Sequence, residues 1–252
     1  MYGYGYRYST KPNSGSLGDS IQQSLSSYYF DGTNNYLNLG NVFNSSLTGA
    51  NKVFSIGIVF RRLNTGAGVL FSKWGATGNK RAIAVNFRGS DTLYFQFSTD
   101  GISVAGTWES TATVTDTIWH EAVLVYNNGV VTVYLDGVVM AGTSTTIPTT
   151  IYVGTANAEI GVLDSGTSPF KGWINQVFVT TDVVTSLEVA TGWNSGKPLI
   201  ATNYLDNLDR TYTFDSDTWD GSNWTVIEEG AKSSGASVNM IAADHDNNEN
   251  PY

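Results

Sequence analysis

Between Trp119 and Ala141 the chain runs through two alternating segments, and each ends in a dipeptide that tolerates positive φ. Glu121–Tyr126 leads to Asn128-Gly129, Val130–Leu135 leads to Asp136-Gly137, and Val138–Ala141 leads away. Asn-Gly and Asp-Gly supply the left-handed conformations that two-residue hairpin turns require. Two such turns in close succession commit the stretch to an antiparallel meander. Side chains two apart share a face, so Val131, Val133 and Leu135 line up together, and this face is assigned to the core.

The same period recurs along the chain. Strands are expected at Tyr28–Gly32, Tyr36–Leu39, Val53–Arg61 (with small residues at 55 and 57), Val69–Lys73, Arg81–Phe87 and Thr92–Ser98. Further strands are expected at Ile151–Gly154, Gly172–Val179, Tyr212–Asp215 and Trp224–Glu228. One helix is expected: Thr185-Ser-Leu-Glu188 reads as a capping box, and Gly192 would end the helix after about Thr191. About a dozen short strands and one helical turn specify an all-β, two-sheet antiparallel jelly-roll sandwich. Abundant Gly, Val, Thr and aromatic residues suit pleated, half-buried surfaces, and 41% apolar residues suffice for a sizeable core.

Three regions differ in character. Residues 1–27 form a Tyr/Gly/Ser-rich N-terminal arm in which Tyr2, Tyr4, Tyr6 and Tyr8 alternate with Gly and Arg. On an extended strand all four rings would share one side, which suits docking on a partner. Residues 28–241 are the sandwich, and 242–252 are a polar, acidic tail.

A net charge of −9 offers no basic footprint, so nucleic acid is not expected as a partner. No apolar run is long enough to span a bilayer. There is no cysteine, and the N-terminus lacks the apolar stretch of a signal peptide.

The segments FDGTNNYLNLG, FSIGIVFR, LFSKW, WHEAVLVYNNGVVTVYLDGVVM, IYVGTA and FKGWINQVFVTTDVVTSLEVATGWNSGK resemble, in this order, the laminin-G-like/pentraxin-like concanavalin A domains. The likeness covers residues 28–198, about two thirds of the chain. It implies two curved antiparallel sheets, with ligands on the concave face or the rim loops. It also implies a candidate structural Ca²⁺ near the terminal strands or rim loops, for which Asp31, Asp215 and Asp217 are the candidate ligands. Asp also favours turns in its own right. The composition and the Tyr-rich arm further resemble virion structural proteins of tailed bacteriophages.

Enzyme chemistry finds little support. The sandwich glucanases carry Glu-x-Asp-x-Glu on one strand, and here Glu109, Glu121, Glu159, Glu188, Glu228, Glu229 and Glu249 are scattered. His120 reads as a structural strand residue, with no nucleophile elbow or cysteine to serve. Among the tryptophans, Trp119 and Trp173 are expected in the core, and Trp74, Trp108, Trp193, Trp219 and Trp224 in loops or at strand ends. Trp219-Asp-Gly-Ser-Asn-Trp224 is the candidate ligand-binding cluster, because exposed rings can stack on sugars.

The leading expectation is therefore a non-enzymatic virion structural protein (capsid decoration, head fibre or tail). It would be made in the host cytoplasm, attached to other virion proteins through its arm, and homo-oligomeric. The alternative is a lectin-like carbohydrate-binding adhesion module with a glycan ligand, reaching the outside by a route without a signal peptide. Glycoside hydrolysis is the third reading, and the missing carboxylate motif argues against it.

Overall fold

The computed structural model describes residues 27–199 except 76 and 165, then 201, 204–205, 207–213, 218–219, 224–226, 228–229 and 236–239; from 210 onward the description is of the backbone. The strands follow the alternation. They are β1 Tyr28–Asp31, β2 Tyr36–Gly40, β3 Gly49–Ala50, β4 Val53–Arg62, β5 Gly68–Lys73, β6 Ile83–Phe87, β7 Thr92–Phe97, β8 Gly106–Thr113, β9 Trp119–Asn127 and β10 Val130–Leu135. After these come β11 Val138–Val139, β12 Gly142–Ser144, β13 Thr150–Ile151, β14 Ala158–Ile160, β15 Lys171–Thr180, β16 Leu208–Thr213, β17 Thr218–Trp219, β18 Trp224–Val226, β19 Glu228–Glu229 and β20 Ala236–Asn239. The helices are α1 Asn44–Leu47 and α2 Ser186–Trp193.

Two antiparallel sheets form the sandwich. The first has eight strands in the order β11-β10-β9-β4-β15-β16-β19, with β1 also on β15. The second has ten, in the order β12-β8-β7-β6-β5-β14-β2-β20-β18-β17, and β13 pairs with β3 apart from both. The turn dipeptides behave as the sequence requires: Asn128 (φ 46), Gly129 (φ 88), Asp136 (φ 54) and Gly137 (φ 81) are all left-handed.

The core between the sheets takes one face of each strand. Ile56, Ile58 and Phe60 of β4, Leu124 and Tyr126 of β9, and Val177 and Val179 of β15 meet Val85, Phe87, Leu93, Phe95 and Phe97 of the second sheet. Val133 is buried there with Val131 and Leu135 packed against it, as the hairpin pattern predicts. Aromatic contacts knit this layer, with Phe54 stacked on Tyr126 at 4.8 Å and Phe60 edge-on to Phe87 at 5.5 Å. Such pairs add about 0.5–1.5 kcal/mol each beyond the burial of their surface.

The opposite face of the first sheet is buried as well. Val123, Val125, Tyr134 and Phe178 pack with Val184 and Val189 of the α2 region and with Ala201 and Leu205. Small residues make this possible. A Cβ at Gly57 would lie 2.0 Å from the Phe178 ring, so only glycine leaves space for it. The Ser55 hydroxyl donates to the Asp182 carbonyl (2.8 Å) and accepts the Val184 amide (3.1 Å), which fixes the approach to the helix. The Gln176 side chain accepts the Ala201 amide (2.8 Å) and donates to the Leu199 carbonyl (3.1 Å), so one buried amide holds the covering segment to the sheet.

Several details differ from the sequence expectations. The capping box forms as predicted, with Thr185 accepting the Glu188 amide and Glu188 accepting the Thr185 amide. The helix nevertheless continues through Gly192 to Trp193 and ends at Asn194, which takes the left-handed conformation (φ 44). Gly192 is needed for packing instead, since a Cβ there would sit 2.4 Å from the Tyr204 ring. A second, one-turn helix, α1, follows the left-handed Phe43 (φ 65). Gly106–Thr113 is a full strand, and its Trp108 is core (5% exposed), so Trp108 is not a loop residue. Trp119 is half-buried rather than core, because it lies at the margin of the first sheet's outer face. Among the described residues no helix is long and apolar enough to cross a membrane.

Candidate functional site

The outer face of the second sheet has no helix over it among the described residues. Along it the register aligns Ala84 of β6, Gln96 of β7 and Thr107 of β8, a row of small and polar side chains. Where β5 and β14 meet, this face deepens into an open cleft of about 160 Å³ lined by Trp74, Lys80, Thr155, Asn157, Glu159 and Asp164. Strand alternation explains the lining. Ser72 and Glu159 are register partners, and Trp74 and Asn157 are each two residues along from them on the same face.

The floor of the cleft is buried, with Trp74 at 5% exposure and Glu159 at 2%. The Arg81 guanidinium lies 5.6 Å from the Trp74 ring centroid, a cation–π contact that orders the rim. Thr155, Asn157 and Asp164 stand exposed around the edge, and Lys80 is half-buried. Gly75 lets the walls approach: a Cβ there would meet the Lys80 side chain at 2.8 Å and the Asp164 carboxylate at 3.5 Å. Ammonium, amide and hydroxyl donors thus face carboxylate, amide and hydroxyl acceptors around a small concavity. A ligand rich in hydroxyl groups can both donate and accept there.

A second polar cluster surrounds His120 and Glu121. The His120 ring lies 2.7 Å from Asp136 through Nδ1 and 2.5 Å from Asp116 through Nε2. Burial opposes its charge, but the hydrogen bonds and charges of the two carboxylates outweigh burial and hold its pKa above the ordinary value. Next to it, Glu121 is buried against the covering segment at 1% exposure. Desolvation, with Asp136 adding its charge, pushes the Glu121 carboxyl up to about 8. The Tyr204 hydroxyl reaches its Oε1 at 3.5 Å, and its Oε2 has no hydrogen-bond partner.

The predicted site residues fare unevenly. Asp31 sits in the first turn, where its Oδ1 accepts the amides of Thr33 (2.7 Å), Asn34 (3.1 Å) and Asn35 (3.3 Å), the turn chemistry its position suggests. Among the described residues no group of three or more His, Cys, Asp or Glu side chains could hold a metal ion. Asp215, Asp217 and the arm residues Tyr2, Tyr4, Tyr6 and Tyr8 lie outside the described residues. Trp219 and Trp224 are backbone register partners at the end of β17 and the start of β18. The cleft's described lining comes from β5, β14 and the loops beside them.

Sequence reasoning missed Lys80, Asn157, Glu159 and Asp164 as one group, because they come from three separate stretches. The available signal was the Gly75–Lys80 turn following the LFSKW strand, a rim loop with polar residues and glycines. Trp74 was expected as a loop tryptophan, and the structure shows its ring packed under Arg81 as cleft floor.

Three solved structures share the fold. A candidate carbohydrate-binding protein from Bacteroides ovatus aligns with a TM-score of 0.57 at 14% identity, over 89% of this chain and 60% of that one. The chain thus spans less than two thirds of that protein's length. The heptameric SAP-like pentraxin of Limulus polyphemus aligns with a TM-score of 0.51 at 14% identity, over 87% of this chain and 98% of the pentraxin. The sialidase module CBM40 of Ruminococcus gnavus, bound to α2,3-sialyllactose, aligns with a TM-score of 0.50 at 15% identity, over 67% of this chain and 98% of the module. At these identities the likeness is one of fold. No curated protein matches the sequence. A family profile does, over residues 31–190, more than half of the chain. With the two-sheet architecture beside that match, the chain belongs to the concanavalin A-like lectin/glucanases superfamily, in its laminin-G branch.

Proposed function

We propose that the protein is a non-enzymatic carbohydrate-binding module that takes a glycan at the cleft between β5 and β14. The observation that carries this reading is the cleft's construction: a buried Trp74–Glu159 floor under an exposed rim of mixed donors and acceptors, on the sheet face left open. Carbohydrate sites want this mixture, because each sugar hydroxyl both donates and accepts. The Ruminococcus gnavus module, a relative in fold bound to sialyllactose, supports the reading without identifying the ligand.

Binding to a glycan array, followed by calorimetry on any hit, tests it. Saturable binding that falls about tenfold or more in Asp164→Ala or Asn157→Ala is expected, since each removes a hydrogen bond worth roughly 1–2 kcal/mol. Loss in Trp219→Ala and Trp224→Ala with no effect of the cleft variants would move the site to the β17–β18 hairpin. No binding to any glycan, with and without Ca²⁺, would end the proposal. Glu159 and Asp164 share the cleft, so release of reducing sugar from a bound oligosaccharide would favour the hydrolase reading instead.

Attachment to a virion is a separate proposal, resting on the Tyr2–Tyr8 alternation and the composition of residues 1–27. Its test is incorporation into particles by a chain lacking residues 1–20, and undiminished incorporation would reject it.

A further inference from the structure

We infer that Lys73, sealed inside the sandwich, is the positioning residue for the 155–157 wall of the cleft, so that ligand affinity is set partly from beneath the site. The inference rests on the cleft being the binding site.

Lys73 is the last residue of β5 and has 0% exposure. It lies on the core side of the sheet, one residue before Trp74, which lies on the cleft side. Its Nζ donates to the Ala156 carbonyl at 2.8 Å and to Asn41 Oδ1 at 2.8 Å. Among the described residues no carboxylate pairs with it. Desolvation accordingly pulls its pKa down to about 8. A buried ammonium without a counter-ion is costly, and an apolar side chain of similar length would fill the space more cheaply. The two acceptors suggest what the cation does there.

Both acceptors lie just past the end of a ladder. Lys73 is the register partner of Ala158 in β14, and Ala158 is in turn the partner of Gly40 in β2. Ala156 precedes that row by two residues and Asn41 follows it by one. Between Ala158 and Glu159 the β14–β2 register shifts, so the ladder is irregular where the cleft wall begins. A single ammonium therefore ties together the ends of three neighbouring strands. Ala156 is buried between the exposed Thr155 and Asn157. Turning its carbonyl inward to Lys73 leaves those two side chains on the cleft.

The test uses the full chain with Lys73→Met, which keeps an unbranched side chain only one atom shorter and removes every donor. Two readouts are taken: amide hydrogen exchange at 155–157, with β9 amides as internal control, and affinity for the glycan identified on the array. The variant is expected to fold, to exchange faster at 155–157 alone, and to bind about tenfold more weakly, the worth of one charge-assisted hydrogen bond. Asn41→Ala, an exposed substitution that removes one of the two acceptors, is expected to move both readouts the same way by less. If exchange at 155–157 is unchanged in both variants, or rises while affinity stays at the wild-type value, the inference is overturned. A wild-type chain that binds no glycan sinks the binding reading alone, since the exchange readout needs no ligand. Should Lys73→Met not fold, the Asn41→Ala readouts decide by themselves.

Discussion

The two outer faces of the sandwich have opposite fates. That of the first sheet carries Val123, Val125, Tyr134 and Phe178 and is roofed by α2 and the segment reaching Leu205. That of the second carries Ala84, Gln96 and Thr107 and ends in the polar cleft. One fold thus uses one sheet as a three-layer support and the other as a presenting surface. Apolar residues on both faces of a strand call for a cover, while strict alternation leaves one face for water or a ligand. The contrast also sorts the ionisable groups. Glu121 on the covered side is held neutral by burial, whereas Asp164 on the open side stands exposed.

The comparison breaks most visibly at Phe178. Replacing it with Ala leaves a void under α2 beside Gly57 and is expected to cost about 3–5 kcal/mol, read as a lowered denaturation midpoint. If the loss is under about 1 kcal/mol, the roofed face is not a true second core. Glu121 sharpens the contrast through pH. Its carboxyl is raised from 4.5 to about 8 in the folded chain, so the native state holds a proton that the unfolded state releases in that window. The stability that this one group contributes is therefore fully present below pH 4.5 and lost as pH rises towards 8. The slope from this one group is about 1.4 kcal/mol per pH unit. Glu121→Gln should flatten that slope in urea titrations. His120, raised above its ordinary 6.5, keeps a contribution of the same sign at higher pH. An unchanged slope would mean that Glu121 is already ionised when folded.

Smaller effects test the edges of the contrast. Thr185→Ala removes the cap that starts the roof helix and is expected to cost about 1 kcal/mol, measured by chemical denaturation. On the open face, Gln96→Ala and Thr107→Ala should each shift stability by less than about 0.5 kcal/mol. A cost several times larger would show that the open face is covered by something after all.

Much of the sandwich is legible in the sequence. Turn chemistry fixes the β9–β10–β11 meander, and the core face of β10 follows from its period. The capping box marks the start of α2, because its side-chain bonds are local. The end of α2 is not legible: Gly192 serves a contact with Tyr204, a partner distant in sequence, while Asn194 makes the left-handed turn. The small residues at 55 and 57 stand out in the sequence, but their reason lies in Phe178 and the Asp182–Val184 approach. β8 escapes notice because Trp108 is its one large apolar side chain among Thr, Glu and Ser. The cleft is hidden for a related cause, since its lining comes from turns and strand ends separated by some eighty residues of chain. Strand pairing brings Glu159 beside Ser72, and no local pattern announces it.

The Gln176 amide has a consequence for anyone who would excise this module. The matched family region stops at residue 190, whereas the backbone groups that Gln176 grips belong to Leu199 and Ala201. A fragment cut at that boundary would strand a buried amide and bare Phe178 and its valine neighbours to solvent. The packing thus reaches past the matched region, and grafting the module elsewhere requires carrying its roof along.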